Sequence, residues 1–522
     1  MDQHYDVAVI GGALSGAATA LLLRRLRPQT RVLVVERAER FDKKVGEATV
    51  EVSGFFLAHV LRLHRTLSQE HLPKHGLRYF FSDGRDRRLD EMSEVGGSAI
   101  PALPSFQLDR EQLDERLLVL AAEEGAEVRR PARVADVALG WPESRLTLLQ
   151  GSLETTVRAR WIVDASGRQA FLARRMGLLQ KNEAHPTAAA WGRWKGVRDM
   201  DGVGVEGGDP RARRLRPIQA ARRLATNHFC GRGWWCWVIP LAGGETSIGV
   251  VYDKRFWELP AGEGLRARYS AFLRRQDGLR ELVADAQLDE QDFRSYDQLA
   301  YRSTRYMERG WALVGDAAAF IDPYYSPGLD HVSMSVYATA RLIQEDLEGA
   351  LAGPALERAV ALHDARFQRS QERWFEALYR DKYELFGDAE LTAAAFYLDT
   401  AMYYLGAVHP VYTNVEELRI PVLGSEGWQA RLAYNLLRFQ NRRLVGLARR
   451  RQARGTYGRR NVGWTDMVKN FGTAELTLTK AHRRGLALWL RAELRGLLEL
   501  LPHRAVQENA SPGRAPGEAP AR

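Results

Sequence analysis

The chain has 522 residues, of which 45% are hydrophobic and 27% charged, a globular composition that excludes a fibrous or disordered protein. This length predicts two or three structural units rather than one core. The formal net charge of +10 comes largely from scattered arginines with no accompanying recognition motif, so we predict no nucleic-acid partner. Two cysteines, no signal-peptide pattern before the first strand and no apolar run of membrane-spanning length indicate a cytoplasmic protein without a transmembrane segment.

The first strand, turn and helix follow the order of a dinucleotide-binding unit. Residues 5–10 (YDVAVI) are typical of a buried parallel strand, and the turn GGALSG leads into the helical run AATALLLRRLR. This order aims the free N–H groups of a helix N-terminus at a pyrophosphate. The next strand, RVLVVE, ends in Glu36, whose carboxylate we expect on the ribose hydroxyls. We assign the cofactor contacts of this unit to Gly11, Ala13, Ser15, Gly16, Glu36 and Arg37, with Ala13 replacing the usual middle glycine.

Three later pieces favour FAD over NAD. Arg110 begins a predicted helix, one apolar strand ends at Asp164, and another ends at Gly315 and Asp316, which we place beside the ribityl chain. With the opening unit, these motifs resemble the FAD-dependent monooxygenases of the p-hydroxybenzoate hydroxylase type, and more closely their halogenase relatives, over the first two thirds of the chain. The resemblance implies an α/β fold: a Rossmann-like FAD-binding domain, an inserted mainly β substrate domain and a C-terminal helical region.

Two motifs indicate the halogenase branch. The stretch GEAT at 46–49 resembles the segment that passes the flavin there, which implies that Glu47, Ala48 and Thr49 contact the cofactor. The stretch WCWVIP at 235–240 matches the W-x-W-x-I-P signature, which implies that Trp235 and Trp237 stand on the substrate and halide side, in a wall before the flavin. The alternative for the second motif is an ordinary strand with its large residues on one face.

Lys74, in LPKHGLRYFF, lies 27 residues after Glu47. The resemblance implies that it is the catalytic lysine, whose amine holds or captures hypohalous acid beside the substrate. Burial would supply the neutral amine that such a nucleophile needs. The alternative is a solvated lysine at the head of a strand. We give the adjacent His75 no role, because strand geometry would point it to the opposite face.

The loop DPYYSPG at 322–328 contains a proline where halogenating relatives have an N–H group. The resemblance implies that Ser326 and Pro327 lie on the halide side and that Gly328 and Leu329 contact the cofactor. Proline has no N–H, and a missing charge-assisted hydrogen bond costs about 1.5–3 kcal/mol. If the halide site is absent, the enzyme hydroxylates its substrate, and Asp330 and His331 become candidate acid–base groups.

The predicted organisation has five parts. Residues 1–184 form the first part of the FAD-binding domain, with a substrate-side excursion near 72–105, and residues 301–345 complete it. Residues 185–300 form the β-sheet substrate domain, 346–503 the helical C-terminal region, and 504–522 a disordered tail.

Two stretches of the helical C-terminal region are candidate binding sites, one for a substrate and one for a partner. Its tyrosine- and phenylalanine-rich part predicts a packed cap or, alternatively, the enclosure of a planar aromatic substrate. Its basic stretch at 439–460 precedes a leucine stripe at Leu486, Leu490, Leu494, Leu497 and Leu501. These indicate a solvated face, docking of an acidic carrier protein or contact with a membrane surface.

The leading hypothesis is a flavin-dependent halogenase that uses reduced FAD, O2 and chloride or bromide on an electron-rich aromatic. A second GxGxxG match, GVGVEG at 202–207, has no strand before it. One dinucleotide site therefore remains, and we expect a separate flavin reductase to supply FADH2. The alternatives are an aromatic hydroxylase, free or with a carrier-bound substrate, and a non-catalytic flavoprotein. We predict no metal site.

Overall fold

The computed structural model describes residues 3–201, 218–468 and 475–498. The predictions for 202–207, Leu501 and the tail 504–522 lie outside these residues. The helices of the described part are α1 (Leu14–Leu26), α2 (Glu51–Phe55), α3 (His64–Glu70), α4 (Arg110–Glu123), α5 (Phe171–Arg175), α6 (Gly264–Arg275), α7 (Leu279–Leu282), α8 (Gly328–Leu347), α9 (Gly353–Trp374), α10 (Ala389–Tyr403), α11 (His409–Thr413), α12 (Trp428–Ala453) and α13 (Glu475–Leu498).

The strands of the same ranges are numbered in chain order. The first eleven are β1 (Gln3–Ile10), β2 (Val32–Val35), β3 (Leu72–Pro73), β4 (Leu77–Phe81), β5 (Ser93–Gly97), β6 (Phe106–Gln107), β7 (Glu127–Arg129), β8 (Arg133–Ala138), β9 (Ser144–Gln150), β10 (Leu153–Asp164) and β11 (Leu179–Lys181). The others are β12 (Thr187–Lys195), β13 (Thr226–Gly231), β14 (Trp234–Pro240), β15 (Glu245–Asp253), β16 (Gln287–Leu288), β17 (Arg294–Tyr296), β18 (Tyr301–Ser303), β19 (Met307–Glu308), β20 (Trp311–Leu313), β21 (Ala319–Phe320) and β22 (Thr465–Val468).

The first large sheet has a parallel centre. Its strands run in the order β19-β20-β10-β1-β2-β7, and β8 and β9 extend it from β10. Ile10 lies beside Val35 on one side and Asp164 on the other, and Asp164 lies beside Leu313. The glycine turn and the loops after β10 and β20 therefore meet at one edge, where open α/β sheets bind their ligands. The predicted α/β class is confirmed.

The second large sheet is mostly antiparallel and has nine strands within the described residues, in the order β16-β12-β15-β14-β13-β4-β5-β22, with β17 beside β12. Side chains alternate across it as strand geometry requires. Trp235 and Trp237 face one core cluster, whereas Trp234 and Cys236 face another. Strands β4 and β5, from the 72–105 segment, belong to this sheet.

The C-terminal region is mainly helical, as predicted, but it also contributes β22, which pairs with β5. In the part of the chain that the structure describes, three helices widen into single π-helical turns, at Phe56–Val60, Phe375–Tyr379 and Tyr404–Val408. Such turns are frequent at functional sites, and these directly follow α2, α9 and α10. No helix of the described ranges is long and apolar enough to cross a membrane.

Candidate active site

The turn after β1 requires two of its glycines. Gly11 has φ +97°, and an added Cβ would lie 2.6 Å from the carbonyl oxygen of Ala165. A Cβ on Gly16 would overlap the carbonyl oxygen of Gly11. Helix α1 therefore starts close against the sheet, with Ala13 as its N-cap residue and both Ala13 and Ser15 on a cleft. Gly16 does not line the cleft; it allows the helix to approach.

Glu36 lies at the end of β2 and borders the same cleft. One carboxylate oxygen accepts a hydrogen bond from the Gly12 N–H at 2.7 Å, and the other accepts one from Ala38 at 2.8 Å. Arg37 is exposed at the cleft edge. The carboxylate holds the glycine turn as well as facing the cleft, and its ribose contact stays a prediction.

The GEAT segment and Arg110 form the opposite side of the cleft. The Arg110 guanidinium donates to the carbonyl of Val45 at 3.2 Å and pairs with Asp114 at 3.0 Å. Glu47 pairs with Arg193 at 2.8 Å, yet burial raises the pKa of Glu47 to about 7. Gly46, Glu47, Ala48 and Arg110 all border the cleft.

Besides Gly16, three more predicted cofactor residues do not line the cleft. Asp164 is buried, and its carboxylate accepts hydrogen bonds from the N–H groups of Ser166 at 2.9 Å and Leu172 at 2.7 Å. It shapes its own loop. Gly315 leaves room for Ser15, because an added Cβ would lie 2.5 Å from the Ser15 hydroxyl oxygen. The hydroxyl oxygen of Thr49 accepts a hydrogen bond from the Phe106 N–H at 2.6 Å.

The residues present fit FAD. The cleft has a volume of about 550 Å³ and runs from the glycine turn and Glu36, past Arg110 and Asp316, to Trp235. Gly328 and Leu329 close it at the N-terminus of α8, where a helix stabilises negative charge. Burial raises the pKa of Asp316.

Lys74 is buried, with 3% of its surface exposed, so the interpretation as a solvated lysine is wrong. Strand β3 ends at Pro73, and the Lys74 amine donates to the carbonyl of Thr49 at 2.7 Å. Burial lowers the pKa of Lys74 to about 8, although the nearby charges of Glu51 and Asp330 favour the ammonium form. The amine borders a second cavity, of about 150 Å³, which we call the chamber.

His75 also lies at the edge of the chamber, although strand geometry predicts the opposite face for it. The reason is that the strand has ended before Lys74, and the alternation of side chains no longer holds. Its Nδ1 accepts a hydrogen bond from the Ala221 N–H at 3.1 Å.

Aromatic side chains from α9, α10 and the π turn after α10 line the chamber, which favours the substrate interpretation of the tyrosine-rich segment. The chamber-lining members are Trp374, Phe396, Tyr403 and Tyr404, joined by Tyr325 from the 322–328 loop. His331 also lines it, and burial lowers its pKa to about 4, so the ring is neutral.

The loop of residues 316–328, here called the partition loop, separates the cleft from the chamber. Asp316, Phe320 and Gly328 border both cavities, whereas Ser326 faces the cleft and Pro327 the chamber. Tyr325 and Ser326 are consecutive left-handed residues, with φ +71° and +57°. Such strain persists only where the surroundings enforce it, and it clusters at functional sites.

Buried hydrogen bonds hold the partition loop in place. The Tyr325 hydroxyl donates to Asp399 at 2.9 Å. Asp322 accepts from the Tyr383 hydroxyl at 2.8 Å and lies 2.9 Å from the His185 ring.

Trp235 and Trp237 lie elsewhere than predicted. Both border the cleft, and neither borders the chamber. The Trp235 indole donates to the Tyr383 hydroxyl at 2.9 Å, and its ring lies 5.4 Å from that of Tyr324. The two tryptophans therefore support the partition loop from the cleft side. The loop itself, rather than the tryptophan strand, stands between the two cavities.

Sequence reasoning missed the polar part of the chamber. Asp330 accepts from the Tyr403 hydroxyl at 2.7 Å, and Glu51 accepts from the Tyr404 hydroxyl at 2.6 Å. The sequence indicates a role for Asp330 only if the enzyme is a hydroxylase. Glu51 follows GEAT by two residues, and the tyrosine pair stands in MYYLG, but neither shows a periodicity or spacing that would have marked it.

A dinucleotide cleft beside a separate chamber with a buried amine defines an FAD-dependent oxidoreductase of the p-hydroxybenzoate hydroxylase fold. Residues 4–200 match the family of FAD binding domains, and residues 212–369 match the tryptophan halogenase family. The flavin-dependent halogenase chlA of Dictyostelium discoideum is 28% identical over 456 residues, which cover 79% of this chain and 73% of that protein.

Two further comparisons agree. The 1H-pyrrole-2-carbonyl (peptidyl-carrier protein) chlorinase of Pseudomonas fluorescens is 25% identical over 397 residues, 72% of this chain and 83% of that protein. The crystal structure of halogenase PltM with phloroglucinol and FAD superposes with a TM-score of 0.72 at 18% identity, over 94% of this chain and 98% of the other, and so shows the fold. The chain is therefore similar to the flavin-dependent halogenases over most of its length, with an FAD binding domain followed by a tryptophan halogenase region.

Proposed function

We propose that this enzyme halogenates a small electron-rich aromatic molecule in the chamber beside Lys74. The observation that carries the proposal is the buried Lys74 amine in an aromatic chamber that shares the partition loop with the FAD cleft. Bound reduced FAD, with O2, supplies the oxidation of halide to hypohalous acid. The chain then has to hold that oxidant away from solvent and deliver it to the ring.

Lys74 is suited to this role by its surroundings. Its hydrogen bond to the Thr49 carbonyl fixes the amine at the chamber wall. Because burial brings its pKa to about 8, a fraction of the amine is uncharged near neutral pH and can act as a nucleophile. The remaining ammonium form is a hydrogen-bond donor to hypohalous acid.

The halide contact that Pro327 cannot make has a substitute in the same turn. Gly328 and Leu329 are the first two residues of α8, and both border the cleft. The N–H groups of a first helical turn have no carbonyl four residues earlier in the helix. We therefore place the halide at the Gly328 and Leu329 N–H groups, beside Ser326.

The size of the chamber points to a single-ring substrate. A cavity of about 150 Å³ is the size that holds one benzene molecule in an engineered protein core. The aromatic walls offer edge and face contacts to such a ring. The polar substituents of the substrate would be oriented by the carboxylate oxygens, the tyrosine hydroxyls and the lysine amine of the chamber.

Instead of a free small molecule, the substrate could be an aromatic group attached to a carrier protein, and the exposed surface of the C-terminal region supports this alternative. Leu490, Leu494 and Leu497 of α13 are 55%, 59% and 58% exposed, beside the arginine-rich α12. An acidic carrier protein would complement this face, and one relative is named for a peptidyl-carrier substrate.

A separate flavin reductase would supply FADH2. Cys230 and Cys236 are free and buried, which fits a reducing cytoplasm.

Pro327 favours a second candidate, halide-independent hydroxylation of the same aromatic. The decisive experiment supplies the purified protein with FAD, a flavin reductase, NADH and a panel of phenols, pyrroles and indoles, with and without bromide. Mass spectrometry of the products is expected to show bromine only when bromide is present. Oxygenated products in both conditions, with bromine in neither, would establish hydroxylation instead.

A further inference from the structure

Asp330 is the carboxylate of the chamber whose position the halogen-transfer chemistry leaves unexplained. It is the third residue of α8, it is 5% exposed, and it borders the chamber together with Lys74. One oxygen accepts from the Ser53 N–H at 2.9 Å, and the other accepts from the Tyr403 hydroxyl at 2.7 Å. With these two hydrogen bonds in place, the carboxylate still has free lone pairs for one more hydrogen-bond donor. A substrate in the chamber could supply that donor.

The groups around Asp330 set its proton affinity. Burial raises its pKa to about 7, the hydrogen bonds from Tyr403 and Ser53 lower it, and the charge of Glu51 raises it. The Lys74 amine also interacts with it electrostatically, as do Tyr379 of α9's π turn and Tyr412 of α11. The raised pKa lies closer to neutral pH than that of an ordinary aspartate, as suits a general base.

We propose that Asp330 is the base that accepts the hydroxyl proton of a phenolic substrate. The inference rests on the proposed function and names the substrate class within it. The O–H bond breaks, its proton moves to the Asp330 carboxylate, and its electron pair stays on the phenolate. Hypohalous acid then gives its halogen to a ring carbon, and its hydroxide combines with the displaced ring hydrogen as water. Asp330 returns its proton to the halogenated phenolate.

A phenol fits this base better than an indole or a pyrrole does. A phenol hydroxyl is a weak acid that a carboxylate of raised pKa can deprotonate in part, whereas the N–H group of an indole is far too weak an acid. Ionisation raises the electron density of the ring that the halogen attacks. The neighbouring Lys74 ammonium stabilises the phenolate that forms.

The test compares Asp330→Asn on two phenols, one that is un-ionised at the assay pH and a nitrophenol that is already ionised. We expect kcat/KM to fall about 100-fold or more for the first and by less than about threefold for the second, because the second needs no base. Equal losses on both phenols would mean that Asp330 only holds α8 to α2, and would overturn the proposal. Bound FAD and the urea unfolding midpoint report whether the variant is folded.

A milder pair of variants keeps the test valid if Asp330→Asn does not fold. Tyr403→Phe removes a hydrogen bond that lowers the pKa of Asp330, so the acidic inflection of kcat/KM for the un-ionised phenol moves above pH 7. Tyr404→Phe removes the corresponding hydroxyl from Glu51 and does not raise that inflection. An inflection that is the same in the wild type and Tyr403→Phe contradicts the proposal.

The two proposals fail in different ways. Bromination of indoles or pyrroles but of no phenol would overturn the role of Asp330 and leave the proposed function standing. Bromination of no aromatic class would overturn the proposed function.

Discussion

The FAD cleft and the Lys74 chamber differ in what builds them. The cleft is shaped by main-chain geometry: the Gly11–Gly16 turn, the start of α1 and the start of α8. The chamber is shaped by side chains that meet from distant segments, as when Asp330 accepts from Ser53, 277 positions away. A cofactor site of the first kind can be encoded in a few neighbouring residues. A reaction chamber of the second kind depends on the packing of the whole chain.

The largest effect should follow from changing the cleft at Gly16. In Gly16→Ala the new Cβ overlaps the Gly11 carbonyl oxygen, and backbone cannot move aside as a side chain would. We expect a loss of roughly 4 kcal/mol or more in the free energy of unfolding and no bound FAD, measured by urea unfolding and flavin absorbance.

The matched control is Gly446→Ala in α12, where an added Cβ would meet no atom of the described residues within 4 Å. It should raise stability by about 1 kcal/mol. Normal FAD binding by Gly16→Ala would show that the turn tolerates more than its geometry indicates.

Changing the chamber at Lys74 should separate chemistry from cofactor binding. Lys74→Met keeps the buried volume but removes the amine, so halogenated product should fall by about a thousandfold while FAD affinity and consumption of reduced FAD persist. The measurements are product mass spectrometry and a flavin-binding titration.

Lys254→Met serves as the control, because Lys254 pairs with Asp297 at the surface, away from both cavities. Halogenation that survives in Lys74→Met would remove the lysine from the reaction.

The partition loop links the two regions, and Tyr383 tests its support. Tyr383→Phe leaves the Trp235 indole N–H buried without its acceptor and removes a donor from Asp322. We expect a loss of about 1–3 kcal/mol in the free energy of unfolding, measured in urea.

Tyr306→Phe is the matched change, since the buried Tyr306 hydroxyl has no hydrogen-bond partner among the residues that the structure describes. Its stability should be unchanged or higher. Equal losses in the two variants would argue against a supporting network.

The smallest effect concerns the halide. Pro327 has φ −76° and ψ −13°, which alanine adopts without strain, so Pro327→Ala adds one N–H group to the partition loop. We expect the KM for bromide to fall about tenfold, which corresponds to one modest charge-assisted hydrogen bond. An unchanged KM, with steady-state rates measured over a bromide series, would mean that the N–H group added at position 327 points away from the halide.

Most of the cleft could be predicted from the chain alone. Gly11, Ala13, Glu36, Arg110 and Asp316 border it or shape it as expected. The exceptions are instructive. Asp164 and Thr49 are correctly placed in the chain, but their side chains accept hydrogen bonds from the N–H groups of Ser166 and Phe106 and do not line the cleft. A motif predicts where a residue lies along the fold more reliably than where its side chain points.

The sequence by itself determined the dinucleotide unit, because a positive φ and a close backbone approach leave glycine as the residue that fits, and these demands act over a few positions. Only the tertiary structure decided that Lys74 is buried, that Trp235 and Trp237 face the cleft, and that Asp330 meets Tyr403 in the chamber. The physical reason is that desolvation and side-chain hydrogen bonds depend on which distant segments pack together. The spacing of residues along the sequence does not predict that packing.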